Sequence, residues 1–300
     1  MRFARCSVLI LLCVSCDERA VVRAPTTREA VEAVPAAAVP EPVAPPAVPA
    51  LPACKPVGEL DVLFIGNSYV ILNDTPGVLA KMADDAGIRM HVERSAMGGK
   101  AFDFHVKRAK TRAALASRDW DVVILQSHSL DPLRNAKSFA ADGTTLIERV
   151  REAGAEPLLF ETWPRKVGHN LYNYMKETGG SPDAMLDAVA QAYHSLGAST
   201  DTVVVPVGHA WSTMIAEHSE HDPYADDGAH PGSVGAYLSA AVIFTLLTER
   251  DPQGVVQPHE VSPAAAAAAL RVAADTIHPP CTWAPNSQAE SRGRERSAGG

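Results

Sequence analysis

The sequence has no basic patch. Its 300 residues carry 27 Lys and Arg against 35 Asp and Glu, a net charge of −8, so the electropositive footprint of a nucleic-acid binder is missing. The N-terminal apolar run is only nine residues, Cys6 to Val14, too short to span a bilayer. Aromatic residues make up 6% of the chain and are almost absent between Glu18 and Pro56, so that stretch cannot build a core. There is no internal repeat and no second domain. His218-Ser219-Glu220-His221 has a ligand-like spacing but no cysteine pair or third ligand near it in sequence, so a solvated turn is expected there, with no metal and no cofactor.

What is present falls into four parts. Arg2 and Arg5 precede the short apolar run, and Ser15-Cys16 then meets Asp17-Glu18-Arg19, the layout of an export signal over 1–16. Nine of the 23 prolines lie between Pro25 and Pro56, which favours extended polyproline II over 17–57. About forty residues at ~3.1 Å each reach on the order of 120 Å, the length of a stalk. A folded domain is expected over 58–280, and 281–300 reads as a disordered tail.

Within the domain, Val62 to Ile65 is an uncharged apolar run, the pattern of a strand buried on both faces. It breaks at Gly66-Asn67-Ser68. Thr75 is expected as N-cap of a helix, with Pro76 at its first position. Further strands are expected at Met90–Arg94, Asp121–Leu125, Pro157–Phe160 and Thr202–Val205. Helices are expected over about 138–153, 182–196, 233–249 and 264–277. Alternation of five strands with helices predicts a three-layer α/β/α fold with a five-stranded, mainly parallel sheet of flavodoxin-like type. Each strand ends in polar, Gly or Trp residues, so one sheet edge collects the chemistry.

Two of those places form a constellation. Ser68 offers a hydroxyl nucleophile, and Asp227-Gly228-Ala229-His230-Pro231 offers an imidazole base with a carboxylate three residues before it. The elbow Gly-x-Ser-x-Gly of another hydrolase fold is incomplete, since Val70 stands where its second glycine would be. Phe64-Ile65-Gly66-Asn67-Ser68 and the Asp-x-x-His-Pro block, followed by Gly235 and Ser239-Ala240-Ala241, resemble the first and last blocks of the SGNH (GDSL-like) hydrolase superfamily. The likeness covers roughly 60–248. It implies a Ser68, His230, Asp227 triad. The oxyanion donors would be the Ser68 N–H, Gly99 of the Gly98-Gly99 pair, and a third group. The family's third donor is an Asn; none ends the third strand here, and Gln126 carries the same amide one methylene longer, with His128 and Ser129 as rivals.

Trp163 and His209, at strand ends, could line a sugar-binding cleft, although Trp at such places is as often packing. The N-terminus resembles a bacterial lipoprotein signal in which Cys16 would be lipidated, which implies a cell-envelope protein tethered to a membrane; it departs in having Cys13 where such signals carry Leu. Cys54 and Cys281 bracket the domain and, in an exported protein, suggest a disulfide. The expected function is a serine esterase removing small acyl groups, acetyl first, from a carbohydrate or cell-wall polymer, acting as a monomer. An O-acyltransferase with the same triad and a non-catalytic glycan-binding domain are the alternatives.

Overall fold

The computed structural model describes residues 58–255 and 258–278, with the backbone alone of 281–282. The signal, Cys16, the proline-rich stretch, Cys54, the Cys281 side chain and the tail lie outside the described residues.

Five strands, β1 (Leu60–Gly66), β2 (Met90–Ala96), β3 (Val122–Leu125), β4 (Glu156–Phe160) and β5 (Val203–Val205), form one sheet in the order β2-β1-β3-β4-β5. Every pairing in it is parallel. A second pair is made by β6 (Arg250–Asp251) and β7 (Cys281–Thr282). Ten helices occur among the described residues. The first five are α1 (Ser68–Ile71), α2 (Thr75–Asp85), α3 (Phe102–Lys107), α4 (Ala109–Leu115) and α5 (Asp131–Arg134). The rest are α6 (Ala136–Glu152), α7 (Pro182–Thr200), α8 (Val207–Glu217), α9 (Ser233–Thr248) and α10 (Pro263–Ile277).

Alternation along β1 divides the core in two. Val62 and Phe64 pack with Leu79, Met214 and Leu270 from α2, α8 and α10, while Leu63 and Ile65 pack with Phe102, Phe139 and Val189 from α3, α6 and α7. All four β1 residues are fully buried. A strand with apolar side chains on both faces therefore sits at the centre of three layers, as its sequence predicts. Helix α9 is apolar around most of its circumference because it is buried under α2, α8 and α10. Among the described residues no helix is long and apolar enough to cross a membrane.

The chain steps from β1 to β2 on one side and then to β3 on the other, so the strand order reverses at the C-terminal ends of β1 and β3. In open α/β sheets that crevice is where ligands bind. The expected strands and helices are found with ends displaced by up to four residues, while α1, α3, α4, α5 and α8 lie where none was expected. One local expectation is corrected. Thr75 is not the N-cap of α2: Asp74 holds that position in a left-handed conformation, and Thr75 is buried inside the helix with its hydroxyl unpartnered.

Candidate active site

The turn after β1 carries Ser68, and buried bonds fix it. A Cβ on Gly66 would lie 2.7 Å from Gln126 Oε1, so only glycine lets the β3 side chain cross beneath the turn. Gln126 Oε1 accepts the Asn67 N–H at 2.9 Å. The Asn67 side chain caps α1, its Oδ1 accepting from the Tyr69 N–H at 3.0 Å and its Nδ2 donating to Lys100 O at 2.9 Å. Beneath them His105 is fully buried, donating from Nε2 to Gly66 O at 2.9 Å and accepting at Nδ1 from Thr111 Oγ1 at 3.0 Å. Burial lowers the His105 pKa to about 4, against the smaller raising effect of the Gly66 carbonyl. Ser68 is thus the first residue of a helix, with a free N–H where helices leave amides unpaired.

The second turn brings the base. Ser68 Oγ lies 2.9 Å from His230 Nε2, and His230 Nδ1 lies 2.5 Å from Asp227 Oδ2. Asp227 Oδ1 also accepts the backbone N–H groups of His230 and Ala229, at 2.9 and 3.0 Å. Partial burial raises the Asp227 pKa, but the His230 side chain and these two amides outweigh it and hold the carboxyl at about 2. Near neutral pH the carboxylate is therefore ionised, and its bond to Nδ1 leaves His230 Nε2 facing Ser68 to take its proton. Gly228 takes a φ of +63° in this turn, and its carbonyl accepts from Lys166 N. Asn73 Nδ2 donates to Pro231 O at 2.7 Å, and Trp163 Nε1 to Ala229 O at 3.0 Å. Asn73 and Asp74 both have positive φ, a backbone cost that aims Asn73 across the site.

The remaining expectations part company. Gly99 sits at φ +68° in the Met97–Lys100 turn, with open space where a Cβ would be. Gln126 is fully buried, bonded to Asn67 N–H and donating from Nε2 to Ser127 O. It braces the turn from below and is not exposed to a substrate oxygen, a correction to its reading as an oxyanion donor. Trp163 is also corrected: it is fully buried, stacked between Tyr69 at 4.5 Å and Trp211 at 3.7 Å, so it lines no cleft. Tyr69 passes that packing on to the site by meeting His230 edge-on at 5.3 Å. His209 lies in α8, its ring half exposed and bonded at 2.8 Å to the buried Glu161 rather than to the triad. Ser127 and Ser129, the other hydroxyls nearby, are buried and bonded to Asp131 and Arg165. His221 lies 3.5 Å from Glu220, and no described cluster of three His, Cys, Asp or Glu could hold a metal.

Arg165 escaped the sequence reading, and His128 stood there only as a rival for the third oxyanion donor. Arg165 is buried and bonds the hydroxyls of Tyr69 and Ser129; its signal was its place just past β4, directly after Trp163-Pro164. His128 accepts the Leu130 N–H at Nδ1, which puts its proton on Nε2. Burial first, then the charges of Arg165, Arg134 and His230, lower its pKa, so it is neutral near pH 7 and still an N–H donor.

No protein-family model and no curated protein matches the sequence. Solved structures do. A candidate SGNH hydrolase from Slackia heliotrinireducens is 29% identical with a TM-score of 0.53, over 62% of this chain and 98% of its own. A DUF4886 family protein from Bacteroides uniformis has a TM-score of 0.64 at 20% identity, over 77% of this chain and 99% of its own, a likeness of fold alone.

Proposed function

The chain belongs to the SGNH hydrolase superfamily and is an ester-hydrolysing enzyme, and from that premise we propose that it is a serine esterase of small acyl esters, acetyl first, on a carbohydrate. The observation that carries the proposal is the unbroken relay from Ser68 Oγ through His230 to Asp227. Ser68 attacks the ester carbonyl as His230 Nε2 takes its proton. The tetrahedral oxyanion is met by the Ser68 and Gly99 N–H groups. The imidazolium, stabilised by Asp227, then gives its proton to the leaving alcohol, freeing it and leaving Ser68 acylated. Water, deprotonated by the same imidazole, attacks the acyl-serine; the acid leaves and Ser68 recovers its proton.

His128 takes the third-donor role that Gln126 cannot fill, because a neutral Nε2–H borders the same cleft as Gly99. This chemistry needs neither the tether read from Cys16 nor the cysteine pair. The domain 58–282 should hydrolyse p-nitrophenyl acetate, and an organophosphorus reagent should label Ser68. His128→Ala should lower kcat by about 10²–10³. Turnover that persists in Ser68→Ala, or a label on another serine, would defeat the proposal.

A further inference from the structure

Beside the triad the local charge opposes that of the whole chain. The protein carries −8, yet the cleft opening from Gly99 and His128 is edged by Lys100, Lys107 and Arg134. Its volume is about 610 Å³, in the range of sites that take a whole small ligand and far more than a two-carbon acyl group needs. The nucleophile turn adjoins it, since Asn67 Nδ2 donates to the carbonyl of Lys100.

Two carboxylates share the wall, and both are engaged. Asp103 lies 3.8 Å from Lys107 Nζ. Asp131 points inward, accepting from Ser127 Oγ at 2.9 Å and Asn135 Nδ2 at 3.1 Å. Lys100, whose ammonium lies 5.2 Å from the centre of the Phe104 ring, and Arg134 have no carboxylate within ion-pair distance among the described residues. Arg165 adds a third cation behind His128; it is buried, and its bonds are to two neutral hydroxyls. Arg165 itself lines a separate cavity, with Lys166 and Tyr224, so the unpaired cations of the cleft are Lys100 and Arg134.

We propose that this cleft is a subsite for a negatively charged group on the alcohol portion of the ester, so that the substrate is an acylated acidic sugar or a similar anionic alcohol. Lys100 supplies a flexible point charge and Arg134 a planar fork suited to a carboxylate. The inference rests on the esterase reading for its placement of the ester carbonyl.

The test compares 4-carboxyphenyl acetate with phenyl acetate. The two leaving groups differ, but the ratio of their kcat/KM values can be compared between proteins. Lys100 and Arg134 are exposed, so the double variant Lys100→Gln/Arg134→Gln leaves the core intact. It should lower the anionic-to-neutral ratio at least tenfold, chiefly through KM, and 0.5 M salt should compress the wild-type ratio in the same direction. A ratio unchanged within twofold overturns the subsite. Failure of wild-type protein to turn over either ester would instead defeat the esterase reading. The subsite is then read in Ser68→Ala by NMR titration: tenfold tighter binding of the carboxylate-bearing ester supports it, and equal binding of the two esters overturns it.

Discussion

The turn that carries Ser68 and the turn that carries His230 meet at a 2.9 Å contact, but different kinds of structure hold them. The nucleophile turn is seated in the core: Asn67, His105 and Gln126 are almost wholly buried, and their bonds join β1 to the segments after β2 and β3. The base turn lies at the surface, the side chains of His230 and Asp227 being 30% and 49% exposed. It is a loop hung from Asn73, Trp163 and Lys166 by single bonds to its backbone. Placing the nucleophile is therefore part of folding, whereas placing the base is a local matter that can fail while the fold survives.

The strongest way to break the contrast is to remove either chemical group. Ser68→Ala and His230→Ala should each lower kcat by about 10⁴–10⁶, with the double variant little worse, because the two act as one unit. Asp227→Asn should cost less, about 10²–10⁴, since Oδ1 can keep its backbone bonds while the imidazole loses its orienting charge. Steady-state kinetics on one activated ester checks all four variants. Additive losses in the double variant would mean that the Ser68–His230 contact is not the working one.

Bracing residues sharpen the contrast further. Gln126→Ala strands the buried Asn67 N–H and Ser127 carbonyl, at about 1–3 kcal/mol for each group. Asn73→Gly removes the bond to Pro231 while keeping the left-handed backbone that Asn73 adopts. The first should lower Tm by about 5–10 °C as well as kcat. The second should lower kcat by roughly 3- to 10-fold with a Tm change below about 2 °C. Calorimetry alongside kinetics separates them, and a Gln126→Ala protein of unchanged Tm would return that amide to the oxyanion.

The same division explains what was readable in the sequence. The β1 run and the Asp-x-x-His block are local patterns: an uncharged apolar run and a three-residue spacing need no knowledge of distant chain, and the fold brings Ser68, just after the run, and the His230 of the block within 2.9 Å of each other. Thr75 misled because a cap is decided by the φ of its neighbours, and Asp74 is left-handed. Trp163 and Gln126 misled for a different reason. Their positions at strand ends were right, but the direction and depth of a side chain there depend on what packs over it, here Tyr69 and Trp211 in one case and the gap above Gly66 in the other. His105 gave no signal, since its partners Gly66 and Thr111 lie on separate elements.

His105 carries the most specific of these effects. Its ordinary pKa of 6.5 falls to about 4 in the fold. Between those values the unfolded chain binds a proton that the folded chain refuses, so stability rises with pH across that window. The His105 contribution is complete above about pH 6.5, declines as pH falls toward 4, and has no further effect below. A shift of that size corresponds to on the order of 3 kcal/mol across the window. Asp227, held at about 2, begins to lose its own contribution only below its ordinary 3.8, so the two are separable. His105→Gln can still donate to the Gly66 carbonyl but cannot be protonated. Between pH 7 and pH 4.5 the wild-type Tm should therefore fall about 5–10 °C further than that of the variant. Parallel Tm curves over that range would mean that the buried imidazole titrates in the fold as it does in the unfolded chain, and that the nucleophile turn does not depend on its neutral form.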